Sequence, residues 1–128
     1  MKNFLFLIVT LFFFISTSRL SAQVNENYLK VIVESLNEQY LKSNSELFFT
    51  IQIGAYKKGN KAFEAIDNIV KTKENNLIKY RLGEFLTYEE AVEYKKIVLS
   101  VCNDAFIVPI KNGKRIYITQ ALKLAAIL

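Results

Sequence analysis

From residue 28 to 41 apolar side chains recur at every fourth position: Tyr28, Ile32, Leu36 and Tyr40, with Leu29 and Leu41 beside them. Asn, Glu and Lys fill the gaps. This spacing predicts an amphipathic helix from Glu26 to Leu41, within an N-terminal segment 24–46 whose pattern Asn44 and Ser45 break. The period then changes to two. Phe49, Ile51 and Ile53 alternate with Phe48, Thr50 and Gln52, which predicts a strand over 47–53 with the odd-numbered set inward. Lys61 to Asn68 reads as a short helix with Phe63, Ile66 and Ile69 inward. Ile69 to Thr72 reads as a second strand, and Glu74-Asn75-Asn76 as its hairpin turn, because Asn tolerates positive φ. In the third strand, Leu77 to Leu82, the set Ile78, Tyr80 and Leu82 shares one face and Leu77, Lys79 and Arg81 the other. The uncharged set goes inward, so Lys79 and Arg81 are expected on an open sheet face.

Thr87 followed by Glu90 is a capping signature for a helix to Val101, with Ala91, Tyr94, Ile97, Val98 and Val101 inward. Ala105 to Ile110 is the fourth strand. Asn112-Gly113 turns it into a short return strand at 115–118, and Thr119 is expected to cap an apolar helix over 119–128. The order β-α-β-β-α-β predicts an α+β domain: an antiparallel sheet with two helices on one face, the other face open, plus a helix at each end.

A template repeats within this order. Gly54, Tyr56, Ala62 and Glu64 match Gly83, Phe85, Ala91 and Glu93 at a separation of 29 residues. The aromatic stands two after the glycine, the alanine eight after and the glutamate ten after. This reads as a duplicated strand–turn–helix unit, with Tyr56 and Phe85 as core residues behind turn glycines.

Composition narrows the function. Phe4 to Ile15 is apolar apart from Thr10, Lys2 precedes it, and Ser21-Ala22 ends in small residues. This is the pattern of a secretory signal peptide over 1–22, too short for the about 20 apolar residues that span a bilayer. Cleavage would leave about 105 residues, one domain, in the periplasm. Losing Lys2 and Arg19 takes Lys+Arg from 17 to 15 against 12 Asp+Glu, and the net charge from +5 to +3. That charge is too low for a nucleic-acid arm and suits a polymer carrying scattered carboxylates. Cys102 is alone, so no internal disulfide forms, and it reads as a small buried hydrophobe. The chain has no histidine, hence no ready proton shuttle or imidazole ligand. Glu89, Glu90 and Glu93 sit at a helix start where carboxylates favour the dipole. Neither a metal-ligand spacing nor a phosphate-cradling glycine loop is present. The reading is non-catalytic, with no cofactor and no metal.

Residues 49–110 resemble the SPOR domain, the sporulation-related repeat of bacterial cell-wall proteins. The likeness rests on Thr50-Ile51-Gln52-Ile53-Gly54-Ala55-Tyr56, Lys79-Tyr80-Arg81-Leu82-Gly83-Glu84-Phe85, Thr87-Tyr88-Glu89-Glu90-Ala91 and Asp104-Ala105-Phe106-Ile107-Val108. It implies a ribonucleoprotein-like (ferredoxin-like) sheet over 47–118 and binding of peptidoglycan glycan strands stripped of stem peptides, often at division sites. Carried over by position, the implied glycan-binding residues are Gln52, Leu77, Lys79, Arg81 and Phe106. Ala55 stands where the family often has serine, which removes one hydroxyl contact.

The chemistry of these side chains fits that implication. A glutamine amide can meet sugar hydroxyls and acetamides, a guanidinium fork can meet a lactyl carboxylate, and apolar side chains can underlie sugar rings. Exposed ion pairs contribute only about 0–1 kcal/mol each, so binding through many weak contacts is expected. The expected partner is the glycan, with envelope or division proteins as the competing class and nucleic acid disfavoured.

Overall fold

The computed structural model describes residues 27–127, the last by its backbone alone. The signal peptide expected over 1–22 lies outside the described residues. Helix α1 is described over 27–34, followed by a 3₁₀ turn, Glu38–Tyr40. Then come β1 (Leu47–Tyr56), α2 (Lys61–Glu64), β2 (Ile69–Glu74), β3 (Leu77–Phe85), α3 (Tyr88–Val98), β4 (Phe106–Lys111), β5 (Lys114–Arg115) and α4 (Ile118–Ile127). The strands form one antiparallel sheet in the order β2-β3-β1-β4-β5. No described helix is long and apolar enough to cross a membrane.

The alternation in β1 and β3 sorts the core as expected. Phe49, Ile51, Tyr80 and Leu82 are fully buried on the face that carries the helices. Phe63 of α2 meets the Tyr80 ring edge-on at 5.3 Å, and Tyr88 of α3 meets Phe49 at 5.8 Å. Ala91 and Val98 seat α3, and Ala121 of α4 joins the same core. Helix α1 adds Leu29, Ile32 and Val33, and Tyr94 of α3 donates to the Ile32 carbonyl at 2.7 Å.

Several boundaries differ from expectation. The first helix ends at Glu34, where Ser35 Oγ donates to the Ile32 carbonyl, and Tyr40 is carried by the 3₁₀ turn onto Phe85. Helix α2 is one turn, and α3 stops at Val98 with Ile97 half exposed rather than inward. Helix α4 starts at Ile118, so Thr119 lies inside it and does not cap it. The return strand is the pair Lys114–Arg115, prolonged by Ile116 N–H donating to the Pro109 carbonyl. Thr87 does cap α3: its Oγ accepts from Glu90 N–H at 3.1 Å. Asn75 and Asn76 form the β2–β3 turn with φ of 53° and 63°, and Asn112 and Gly113 the β4–β5 turn with 52° and 79°.

The repeated glycines are not turn residues. The strands run past both, to Tyr56 and Phe85. The β1–β3 register slips between Phe49 and Ile51, with the extra residue on β3 at Gly83, and again between Gln52 and Gly54. Gly83 has φ +79°, and a Cβ there would stand 2.5 Å from the Phe85 ring. A Cβ on Gly54 would stand 2.7 Å from the Tyr56 ring. In each copy the aromatic two residues on lies across its glycine. The template is therefore a bulge with a ring folded over it, and paired bulges increase strand twist and bend the sheet. Phe85 is buried, whereas Tyr56 stays 39% exposed at the sheet rim.

Candidate functional site

The register fixes which side chains share the face away from the helices. Gln52 lies opposite Arg81 on β3 and opposite Phe106 on β4, and directly opposed residues of an antiparallel pair point the same way. Val70 continues the row on β2. Lys79 sits two residues from Arg81, opposite Thr72 and Ala55, and Leu77 opposes Glu74. All five expected site residues thus stand on one face, and none lies under a helix.

That face is curled into a trough. One cleft of about 190 Å³ is bounded by Val70 and Thr72 of β2 and, across the sheet, by Ile110 and Gly113. A second, of about 660 Å³, lies between Glu74 and Asn75 at the β2–β3 tip and the opposite edge around Arg115 and Tyr117. Only the second falls within the range of small-ligand sites, roughly 300–1,000 Å³, and of the five expected site residues Arg81 alone lines one of the two, the first. Val108 and Ile110 are buried here, apart from the helix-side core.

The curl overturns the expectation for the two cations. Lys79 and Arg81 are not solvated: their side chains are 7% and 8% exposed. Both converge on Glu74. Lys79 Nζ donates to Glu74 Oε1 at 2.8 Å, and Arg81 Nη2 to Glu74 Oε2 at 3.0 Å. Arg81 Nε also donates to Gln52 Oε1 at 3.4 Å. The Lys79 ammonium, helped by Arg81, holds the Glu74 carboxyl below its usual range despite partial burial. A cation this deep needs a paired anion, and Glu74, the last residue of β2 before the hairpin turn, supplies it to both cations of β3. The sequence reading missed Glu74 by placing it in the turn.

The cluster is not electrically neutral. Lys79, Arg81 and Glu74 together carry one net positive charge. Gln52 Nε2 has no hydrogen-bond partner among the described residues, yet no wholly buried side-chain polar atom there lacks one, so this amide reaches the trough surface. Gln52 itself is 5% exposed and its carbonyl is held by Arg81, which fixes the amide's direction.

Phe106 stays on the expected face, 40% exposed. Arg115 lies over its ring, 5.7 Å from the centroid. Leu77 is half-buried at the trough end. Ala55 also faces the trough and offers no hydroxyl. Cys102 is half-buried against the core, and burial pushes its thiol up, away from reactivity. No protein-family model, curated protein or solved structure matches this chain.

Proposed function

We propose that the chain is an exported, non-catalytic module that binds peptidoglycan glycan strands lacking stem peptides through the trough. One observation carries this reading: Gln52, Leu77, Lys79, Arg81 and Phe106 share the concave sheet face that no helix covers. A glycan is a narrow, amphipathic polymer, and a trough with a polar floor and an aromatic wall matches its hydroxyl edges and C–H faces. Gln52 would donate to an acetamide or hydroxyl, and Phe106 would underlie a ring. Lys79 and Arg81 act chiefly as the floor that orients Gln52. The strand order β2-β3-β1-β4 supports a ribonucleoprotein-like sheet for the four longer strands, to which β5 is an addition. The absence of histidine from the sequence supports a binding rather than a catalytic role.

The experiment is retention on sacculi. Amidase-treated walls should hold the protein and untreated walls should hold less, and Gln52→Ala should weaken retention without unfolding the domain. Equal retention on both walls, or retention indifferent to Gln52→Ala, contradicts the proposal. The alternative, an envelope protein-interaction module, draws support from the exposed Tyr28 and Val31 of α1 and Ile97 of α3. It predicts co-purification with one protein and no affinity for purified glycan.

A further inference from the structure

We propose that Arg115, on the far edge of the trough, is the residue that reads a carboxylate on the bound polymer. This rests on the glycan-binding reading and deepens it. The two cations first expected to do so are committed: Lys79 and Arg81 are buried and share the carboxylate of Glu74. A second carboxylate could reach them only by displacing a partner held by two cations of β3. Arg115 has no such tie. It is exposed, and it makes no ion pair among the described residues.

Its position is set by the β4–β5 turn. The register pairs Arg115 with Ile110, which turns it to the trough side, and the guanidinium rests over the Phe106 ring. A guanidinium held near an aromatic face keeps its N–H groups free, and their fork matches a carboxylate bidentately. Across the sheet the register aligns Phe106, Gln52 and Arg81 in one row, and the guanidinium of Arg115, itself paired with Ile110, reaches the Phe106 end of it. Strands lie about 4.8 Å apart, so Phe106 and Arg81 are about 10 Å apart, roughly the length of a disaccharide. One sugar against the part of Phe106 that Arg115 leaves exposed would place an acidic substituent at the guanidinium, and its neighbour would place an acetamide at Gln52. The larger cleft beside Arg115 continues past Tyr117, which is 83% exposed and offers a second ring. The ligand class this selects is an alternating amino-sugar polymer with a carboxylate on every second ring.

The test compares two soluble probes: a peptide-free tetrasaccharide of the cell-wall backbone, with its lactyl carboxylates, and neutral chitotetraose. Wild type should prefer the acidic probe by at least about threefold, the scale of one exposed charge pair. Arg115→Ala should abolish the preference, by costing more affinity for the tetrasaccharide than for chitotetraose, and Arg115→Lys should restore it in part. The exposure of Arg115 makes both variants safe for folding, which a thermal melt confirms. If wild type binds the tetrasaccharide and Arg115→Ala keeps the preference, this assignment is wrong and glycan binding stands. If wild type binds neither probe, the glycan reading and this assignment fall together.

Discussion

At Glu74 a single carboxylate balances two cations that the sheet has taken almost out of water. Removing it would leave Lys79 and Arg81 close together, buried and unpaired. Glu74→Gln should therefore destabilise by about 2–3 kcal/mol, below the full cost for a wholly buried pair because Glu74 is partly exposed. Urea unfolding measures this. The pH dependence follows from the direction of the shift. The folded state holds Glu74 more acidic than the unfolded chain does, so its contribution is present above the unfolded value, about 4.3, and disappears as pH falls through the lower folded value. The gap between wild type and Glu74→Gln should thus close in acid. Two glycines give a second contrast. Gly83→Ala meets both a left-handed backbone and the buried Phe85 ring, and should cost about 2 kcal/mol or more. Gly54→Ala meets the Tyr56 and Phe63 rings without a left-handed backbone, and the nearer ring, Tyr56, is 39% exposed at the rim, so a smaller cost of about 1 kcal/mol is expected.

Among the elements, α1 is held to the domain through α3. Tyr94 buries its ring beside Phe85 and bonds the Ile32 carbonyl. Burial pushes its hydroxyl up to about 12. The neutral form is favoured in the folded state, so this contact is intact below the unfolded value near 10 and is lost as pH rises through 12. Tyr94→Phe should cost about 1 kcal/mol and remove that alkaline sensitivity, read by thermal melts at neutral pH and above pH 10. Strand existence and facing were legible in the sequence because a period of two is unambiguous when Ile78, Tyr80 and Leu82 alternate with Lys79 and Arg81. Helix ends were less legible. The four-residue spacing from Tyr28 continues to Tyr40, but the spacing is equally met by a helix that stops at Glu34 and a 3₁₀ turn that returns Tyr40 to Phe85. Periodicity records which side chains reach the core, and a chain can satisfy it without remaining helical.

For the whole molecule, the decisive feature is curvature, and the sequence carried its cause but not its form. Gly54 and Gly83 stood out as a repeat, read as turns. They are bulge positions, and the sheet they bend closes around its own polar face. Membership of that face was readable for all five expected site residues from alternation and resemblance. Their exposure was not, because burial of Lys79 and Arg81 depends on Glu74 lying within β2, whereas the sequence pattern ends that strand at Thr72 and puts Glu74 in the turn. Arg115 comes to Phe106 by the β4–β5 hairpin, whose return strand is only two residues long. The account thus assigns binding to the trough and support to everything behind it. Its most direct measurement is a two-dimensional amide NMR titration of the isotope-labelled protein with peptide-free wall tetrasaccharide. The account predicts concerted shifts at Gln52, Lys79, Arg81, Phe106 and Arg115 with little change along α1 and α3; shifts centred on those helices, or none at all, would contradict it.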